Sequence, residues 1–464
     1  MVNAVGAEKD EDVRSIRRIR PWPSPPPSRR LLARNPICKS APDVFHRQKP
    51  VEKSSEITIS AATTLSLIMQ SPPPRRTSVF GSKTPPVAHL KPLRKPNMAM
   101  GVAKELDWGE IHVVDDDDID MSSDEEDEIK PKKLTKDIIT KVLDRIAPYF
   151  PKKHRPSLDK IMFDSENGFG TWNFNVLQVA VYLPNNVLTF LSTMMFTVLA
   201  FDNLDLDVLV AFAQEVEAKY HRHVIYHNAE HAADVMHSFF AILRNTKICT
   251  ILTPSHQIAG LLAALMHDVQ HFGLTNKFIK QSQHEIAQIF PVCCPLEAMH
   301  SDVGLKVLTK HNVLKHLGPT QQIEMRRVMH ETIKTTSVCE QKRLLSALAA
   351  ADRSSDEFVT LVVQIAVHVA DLGQTSKPLP IHQVWVDRLH GELFLQGDME
   401  RECGWPLSID CDRNMGISPQ SQHSFMEAFV IPAFTALKEL NGMEAMEHPL
   451  RQVNDNVKHW KLQC

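Results

Sequence analysis

The sequence predicts an all-α fold, and three observations support this prediction. After about residue 134, apolar residues recur at the spacing of three and four that is typical of helices with one buried face. No segment alternates apolar and polar residues as a half-buried strand does, and no repeat of fixed length occurs. Residues 358–371 are apolar nearly all round, which predicts a helix at the centre of the fold. We therefore expect a compact many-helix domain of about 300 residues.

Residues 1–130 are predicted to be a disordered tail. Proline-rich runs at 21–27 and 72–74 break helices and strands, and apolar residues are too sparse for a core. An acidic stretch at 115–128 repels itself and marks the start of the folded part. The tail is interpreted either as a solvated linker or as a regulatory arm.

The folded domain is predicted to span residues 131–446, with a C-terminal tail at 447–464. Residues 187–201 form the longest apolar run, which contains several hydroxyl side chains. It is shorter than the ~20 residues that cross a bilayer, so it predicts a buried core helix and no transmembrane segment. The other stretches with helical spacing are Ile138, Val142 and Ile146; Val208, Phe212 and Val216; Val235, Phe239 and Leu243; and Val303, Val307 and Leu308.

Composition narrows the possible functions. The formal net charge of −3 gives no argument for a nucleic-acid partner. The eight cysteines have irregular spacing, which favours reduced thiols over a disulfide framework. The N-terminus lacks the apolar core of a secretory signal, so we expect a cytoplasmic location.

Two histidine clusters carry the chemistry. The first contains His227 and His231, and the second contains His267, Asp268 and His271. Residues four apart on a continuous helix share a face, so each histidine pair is expected to do so. Neutral imidazoles with a carboxylate suit zinc or a similar divalent metal. A lone histidine is usually a hydrogen-bonded structural residue, but two such clusters together predict a metal site.

The clusters read His-Asn-x-x-His at 227–231 and His-Asp-x-x-His-x-Gly-x-x-Asn at 267–276. They resemble the motifs of class I cyclic-nucleotide phosphodiesterases, and the similarity extends over about residues 169–440. The resemblance implies three packed helical subdomains with the site at their junction. It also implies hydrolysis of 3′,5′-cyclic nucleotides, cAMP and/or cGMP, to nucleoside 5′-monophosphates, which ends a cyclic-nucleotide signal.

The resemblance further implies two divalent ions that generate the attacking hydroxide. Asp268 would also bridge to the second, weaker ion, Mg²⁺ or Mn²⁺, whose waters His271 and Glu297 would orient. His227 is not an implied ligand and is free to act as the general acid. The ligands implied for the tight ion, expected to be Zn²⁺, are His231, His267, Asp268 and Asp371.

The segment around Gln422 resembles the purine-binding segment of that family. The amide of Gln422 carries a donor and an acceptor side by side, so it can pair with adenine or, flipped, with guanine. Phe425 and Leu389 would stack on the two faces of the base. Tyr226 is also implied to contact the substrate, and Gln374 stands where the family often has an asparagine that contacts the base.

Several positions depart from the family pattern. Gln270 stands where aspartate is usual, and Phe272 stands where proline is common. Residues 329–332 replace a Thr-Asp pair that helps to hold metal-bound water. None of these removes an implied ligand, but they bear on the second metal site and on base preference.

The tail offers one candidate partner. The segment at 75–79, Arg-Arg-Thr-Ser-Val, resembles a substrate site of cAMP-dependent protein kinase, which would phosphorylate Ser78. Such short motifs also occur by chance.

Two alternatives to a cyclic-nucleotide phosphodiesterase stay open. One is another His-Asp metal phosphohydrolase, a group that lacks the base clamp of Gln422 and Phe425. The other is a binding protein that senses cyclic nucleotides without turnover. Metal content and hydrolysis of cAMP distinguish the alternatives.

Overall fold

The computed structural model describes residues 134–199, 205–441 and 446–464, and within these ranges the chain is helical without a strand. The predicted all-α fold is thereby confirmed. The tail at 1–130, its acidic stretch and Ser78 lie outside the described residues.

The helices follow one another with short connections. The first five are α1 (Lys136–Ile146), α2 (Arg155–Met162), α3 (Val176–Tyr182), α4 (Val187–Val198) and α5 (Leu206–Lys219). The next seven are α6 (Ala229–Asn245), α7 (Ile248–Ile251), α8 (Pro254–Met266), α9 (Asn276–Gln281), α10 (Glu285–Ile289), α11 (Pro295–Lys310) and α12 (Pro319–Thr335). The last are α13 (Gln341–Ala350), α14 (Asp356–Asp371), α15 (Leu379–Glu402), α16 (Pro419–Phe425), α17 (Ile431–Asn441) and α18 (Glu447–Lys461). A π-helix, Met426–Val430, joins α16 to α17.

Helices α8 and α14 lie at the centre of the helical domain. Helix α8 packs against α6, α12 and α14, and its residues from Ile258 to Met266 are all buried. Side chains cap both N-termini: Thr253 accepts a hydrogen bond from the backbone of α8, and Ser355 does so for α14. Such caps typically contribute about 1 kcal/mol each. Both buried helices deliver a predicted metal ligand where they end, His267 and Asp371.

A glycine allows the close approach of α6 and α8. A Cβ atom at Gly260 would lie 2.4 Å from the ring of Phe239, so any larger residue would force this buried ring to move. This contact lies between the helix that carries His231 and the helix that His267 follows.

One apolar core runs from α1 to α18, rather than three separate ones. A small second cluster lies under α9, α10 and α11, and its buried members are Ile279, Ile286, Leu296 and Met299. The implied subdomains therefore share most of their packing.

Residues 187–196 of α4 are all buried, as the apolar run predicted. In the described parts of the chain, no helix alone is long and apolar enough to cross a membrane; α3 and α4 pass that test only as a pair, bent by 119°.

Residues 447–464, predicted as a C-terminal tail, contain α18 and pack on the domain. The amide of Asn456 donates to the carbonyls of Thr375 and Lys377 (2.8 and 3.0 Å), and Trp460 is 6% exposed.

Candidate active site

Three segments distant in sequence bring together the four side chains that are predicted to bind metal. His231 lies in the first turn of α6, His267 and Asp268 follow α8, and Asp371 ends α14. His231 Nε2 lies 3.0 Å from Asp371 Oδ1 and 3.6 Å from Asp268 Oδ2. His267 Nε2 lies 3.1 Å from Asp268 Oδ2 and 3.4 Å from Asp371 Oδ1. The ligand atoms of His231, His267 and Asp268 all lie within 4.8 Å of one another, a spacing that could hold a metal ion, and Asp371 lies beside both imidazole nitrogens.

The hydrogen bonds of His267 show that these residues fit a metal. Its Nδ1 donates to the carbonyl of Ala264 (2.9 Å), so Nε2 carries the lone pair of the neutral ring. Nε2 is buried and has no hydrogen-bond partner, although it faces the carboxylates of Asp268 and Asp371. Burial lowers the pKa of His267, but Asp268 and Asp371 raise it well above its ordinary value, so this nitrogen binds a cation, either a proton or a metal ion. A backbone carbonyl on the other nitrogen is a common support for metal-binding histidines.

The expectation that each histidine pair shares a helical face is wrong. Helix α6 begins only at Ala229, because Asn228 is its N-cap and accepts from the backbone of Glu230 and His231, so His227 precedes the helix. Helix α8 ends at Met266, and His271 lies in the following turn.

That turn depends on two residues in the left-handed region. Gln270 has φ 64° and Gly273 has φ 73°. A Cβ atom at Gly273 would also meet the side chain of Glu392 at 3.2 Å, so this position favours glycine for two reasons. The turn places the ring of His271 against that of His227, with centroids 4.1 Å apart.

His227 is held by a buried carboxylate. Its Nδ1 lies 2.5 Å from Glu392 Oε1, and the backbone N–H groups of Tyr226 and His227 donate to Glu392 Oε2 (2.9 and 3.2 Å). Burial alone would lower the pKa of His227, but Glu392, with the nearby Asp268 and Asp371, raises it to about 9. Burial likewise opposes ionisation of Glu392, yet His227 lowers its pKa to about 2. The pair is therefore an imidazolium and a carboxylate at neutral pH.

The ring of His271 is neutral, in contrast to the protonated ring of His227. The backbone N–H of Gly273 donates to its Nδ1 (3.0 Å), so the ring carries its proton on Nε2. Burial, and next the charge of His227, hold its pKa well below the ordinary value. A neutral ring with Nε2–H can donate to a water but cannot use that nitrogen as a metal ligand.

Glu297 lies in the first turn of α11 beside the site. Asn276 Nδ2 donates to its carboxylate (2.8 Å), and the hydroxyl of Ser337 also donates to it. Burial raises the pKa of Glu297 against these two hydrogen bonds. Residues 329–332 lie instead within α12, where His330 contacts the hydroxyl of Ser301 (2.8 Å). The hydrogen bond to Glu297 therefore comes from Ser337, which follows α12, and not from residues 329–332.

The predicted base-binding residues lie on α15 and α16. Gln422 Nε2 lies 3.4 Å from His390 Nε2, and His390 Nδ1 donates to the carbonyl of Val386 (2.9 Å). His390 Nε2 is therefore an acceptor, which fixes the amide of Gln422 with its Oε1 available to a ligand. Leu389, next to His390, and Phe425 are both half-buried.

Gln374 and Tyr226 are largely buried. Gln374 Oε1 accepts from His382 Nδ1 (3.0 Å), and His382 Nε2 accepts from the indole N–H of Trp460 (2.9 Å). The ring of Tyr226 lies against that of His231, with centroids 4.5 Å apart, and edge-on to that of Trp385. Gln374 thus contacts a histidine that α18 also holds, and Tyr226 contacts the predicted metal ligand His231.

Four residues of the site were missed by sequence reasoning: Glu392, His300, His390 and Ser337. His300 Nδ1 donates to the carbonyl of Val269 (2.7 Å), and its Nε2 lies 3.8 Å from Asp268 Oδ1 without a hydrogen-bond partner. A carboxylate within a long helix was the available signal for Glu392, which is 4% exposed.

Comparison with known proteins agrees with this geometry. Residues 226–453 match the family model described as 3′5′-cyclic nucleotide phosphodiesterase. The chain is 30% identical to the 3′,5′-cyclic-AMP phosphodiesterase 4C of Mus musculus, over 60% of this chain and 43% of that protein. It is also 30% identical to the Rattus norvegicus protein of the same name, over 60% of this chain and 55% of that protein. The match thus spans about half the length of these relatives. The chain therefore contains a class I cyclic-nucleotide phosphodiesterase domain.

Proposed function

We propose that the protein hydrolyses 3′,5′-cyclic nucleotides, cAMP in preference to cGMP, to nucleoside 5′-monophosphates. The observation that carries this proposal is the convergence of His231, His267, Asp268 and Asp371 beside a histidine that holds a proton. Both relatives are named 3′,5′-cyclic-AMP phosphodiesterases, which supports cAMP as the substrate.

His231, His267, Asp268 and Asp371 would hold the tight ion, Zn²⁺, and Asp268 would bridge to Mg²⁺ or Mn²⁺. Bound there, the ions would activate a water and neutralise charge on the phosphate. His271 would donate its Nε2–H to a water of the second site, because Gly273 occupies its Nδ1. Glu297 would accept from such a water while Asn276 holds its carboxylate.

His227 would supply the proton of the reaction. The bond from phosphorus to the ribose 3′ oxygen breaks, and this oxygen needs a proton as its charge develops. Because Nδ1 of His227 is engaged by Glu392, the proton that can be transferred is the one on Nε2. Glu392 would then stabilise the orientation of the ring through the cycle.

Gln422 would recognise the purine, with Phe425 and Leu389 on its two faces. Its Oε1 would accept from the exocyclic amine of adenine, because its Nε2 is held by His390. Guanine has a carbonyl oxygen at that position, so the fixed amide favours adenine.

We assign catalysis to residues 131–446, with α18 packed on them, and regulation to the tail at 1–130. The protein would act in the cytoplasm, where a cAMP-dependent kinase acting on Ser78 would link the tail to the cyclic-nucleotide level. Phosphopeptide mapping after treatment with that kinase tests the link, and unmodified Ser78 would contradict it.

The test of the main proposal is steady-state hydrolysis of cAMP and cGMP by the purified chain, with metal content measured on the same sample. We expect turnover of cAMP, and loss of both turnover and tight metal in Asp268→Ala. Asp302→Ala, which removes an exposed carboxylate paired with Lys306 on α11, is the matched control. Tight metal without turnover of either nucleotide would favour the alternative of a phosphohydrolase with another substrate or of a binding protein.

A further inference from the structure

A cluster of three cysteines lies outside the groups assigned to catalysis. The Sγ atoms of Cys293, Cys294 and Cys339 all lie within 4.8 Å of one another, and we call these residues the thiol cluster. Cys293 and Cys294 directly precede α11, whereas Cys339 lies in the single 3₁₀ turn Val338–Glu340 that follows α12. Two segments 45 residues apart in sequence therefore meet through their sulfurs.

Within the thiol cluster, one pair is close to bonding distance. Cys294 Sγ and Cys339 Sγ are 2.9 Å apart. A disulfide is ~2.05 Å long, so a movement of less than about 1 Å would close it. Cys294 is 5% exposed, and Cys339 is exposed to solvent. An oxidant can thus reach one member of the pair, while the other is sheltered from it.

The hydrogen bonds of the cluster favour a thiolate at Cys339. The hydrogen bond from Cys294, with a further one from Cys293, lowers the pKa of Cys339 to about 6. The same contact, together with burial, raises the pKa of Cys294. The exposed sulfur is therefore the nucleophile, and the buried one keeps its proton until it reacts.

We propose that Cys339 and Cys294 form a reversible disulfide with peroxide as the oxidant, and that this bond weakens the second metal site. The thiolate of Cys339 attacks one peroxide oxygen, the O–O bond breaks, and the leaving hydroxide is protonated to water. The thiol of Cys294 then attacks the sulfur of the resulting sulfenic acid. The hydroxyl of that acid leaves with the thiol proton as a second water. A dithiol reductant reverses the bond by thiol exchange.

The link to the active site runs through Ser337 and Glu297. The hydroxyl of Ser337 lies 3.4 Å from Cys339 Sγ and donates to the carboxylate of Glu297. Cys294 is the N-cap residue of α11, whose first turn carries Glu297. Closing the disulfide would therefore shift the 3₁₀ turn next to Ser337 relative to the first turn of α11, which carries Glu297. The consequence for metal binding rests on the proposed function, in which Glu297 orients water at the weaker ion.

The first experiment tests the bond itself and does not depend on activity. The full chain is treated with hydrogen peroxide and digested without reduction, and the peptides are identified by mass spectrometry. We expect a Cys294–Cys339 peptide pair that dithiothreitol removes, and its loss in Cys339→Ser. Cys403→Ser, which removes an exposed thiol outside the cluster, is the matched control and should keep the pair. A pair that joins Cys293 to Cys339, or no pair at all, would overturn the proposal.

A second measurement covers the possibility that the serine variant folds poorly. In the wild-type chain, the rate of alkylation of Cys339 by iodoacetamide should rise between mildly acidic and neutral pH, ahead of the rate at Cys403. Equal pH profiles would argue against the thiolate. A zinc ion that is retained by the wild type, lost in Cys339→Ser and protective against peroxide would overturn the disulfide, because the cluster would then be a metal site.

The regulatory part is tested by the Mg²⁺ dependence of hydrolysis. We expect oxidised wild type to need several-fold more Mg²⁺ for half of its full rate, with recovery on reduction, whereas Cys339→Ser should need the same concentration before and after peroxide. An unchanged Mg²⁺ requirement in chains shown to carry the disulfide would overturn this part alone. Absence of any hydrolysis, with the disulfide formed, would instead contradict the proposed function.

Discussion

Glu392 Oε1 lies 2.5 Å from His227 Nδ1, and its second oxygen accepts from the backbone of the same segment. One carboxylate of α15 thus fixes both the ring and the main chain of a histidine that precedes α6. Its charge also keeps that ring protonated, so orientation and protonation of the proposed acid depend on one side chain.

Replacing Glu392 by glutamine should therefore shift the pH dependence of hydrolysis. The proposed acid must be protonated, and the pKa of His227, about 9 beside Glu392, keeps it so throughout the neutral range. Glu392→Gln keeps a hydrogen-bond acceptor but removes the charge, so the pKa of His227 falls and the alkaline loss of kcat begins at lower pH. A kcat profile across the neutral and alkaline range checks this, and an unmoved alkaline limb would contradict it.

His227→Ala and His231→Ala should behave differently. A positioned general acid contributes typically about 10²- to 10⁴-fold, so His227→Ala should lower kcat on cAMP by a factor in that range and keep its metal. His231→Ala should lose both. The deficit of His227→Ala should shrink on a nitrophenyl phosphodiester, whose leaving group does not need the proton. Loss of metal in His227→Ala, or an equal deficit on both substrates, would refute the assignment.

His390 should act on base preference through Gln422. In His390→Ala the amide loses the acceptor that fixes it, so we expect the preference for cAMP over cGMP in kcat/KM to fall toward unity. Gln422→Ala should raise KM for both nucleotides. Gln420→Ala, on the same helix and exposed, is the control. Unchanged KM values in Gln422→Ala would place base recognition elsewhere.

The wholly buried Lys377 should matter for stability rather than catalysis. Its Nζ donates to the carbonyl of Trp172 (2.5 Å) and lies 3.8 Å from Asp234 Oδ1. Removing one member of a buried pair costs about 3–5 kcal/mol, so Lys377→Met should lower the free energy of unfolding by an amount of that order. Lys306→Met, which breaks an exposed pair, should cost about 0–1 kcal/mol. Urea unfolding of both variants measures the two losses of unfolding free energy, and equal losses would contradict the prediction.

The sequence predicted the two buried helices well. The apolar run before Asp371 predicted that this residue ends α14, whereas His267 was expected to continue on a helix to His271, and α8 instead ends at Met266. The sequence could not predict where α6 begins. The spacing of His227 and His231 also fits a continuous helix, but the side chain of Asn228 caps the N-terminus of α6 and leaves His227 outside it. The partnership of His227 with Glu392 joins residues 165 apart, and no periodic pattern in a single sequence carries such a contact.

The contact between Trp460 and His382 has a practical consequence for expressing this domain. His382 bridges the indole of α18 to the amide of Gln374, a predicted substrate residue. A recombinant fragment that stops at residue 446 would keep every proposed metal ligand and the proposed acid, yet it would free the imidazole behind Gln374 and expose the carbonyls that Asn456 holds. Such a truncated enzyme would give misleading values for substrate affinity, so constants intended to describe the protein should be measured on chains that reach beyond Trp460.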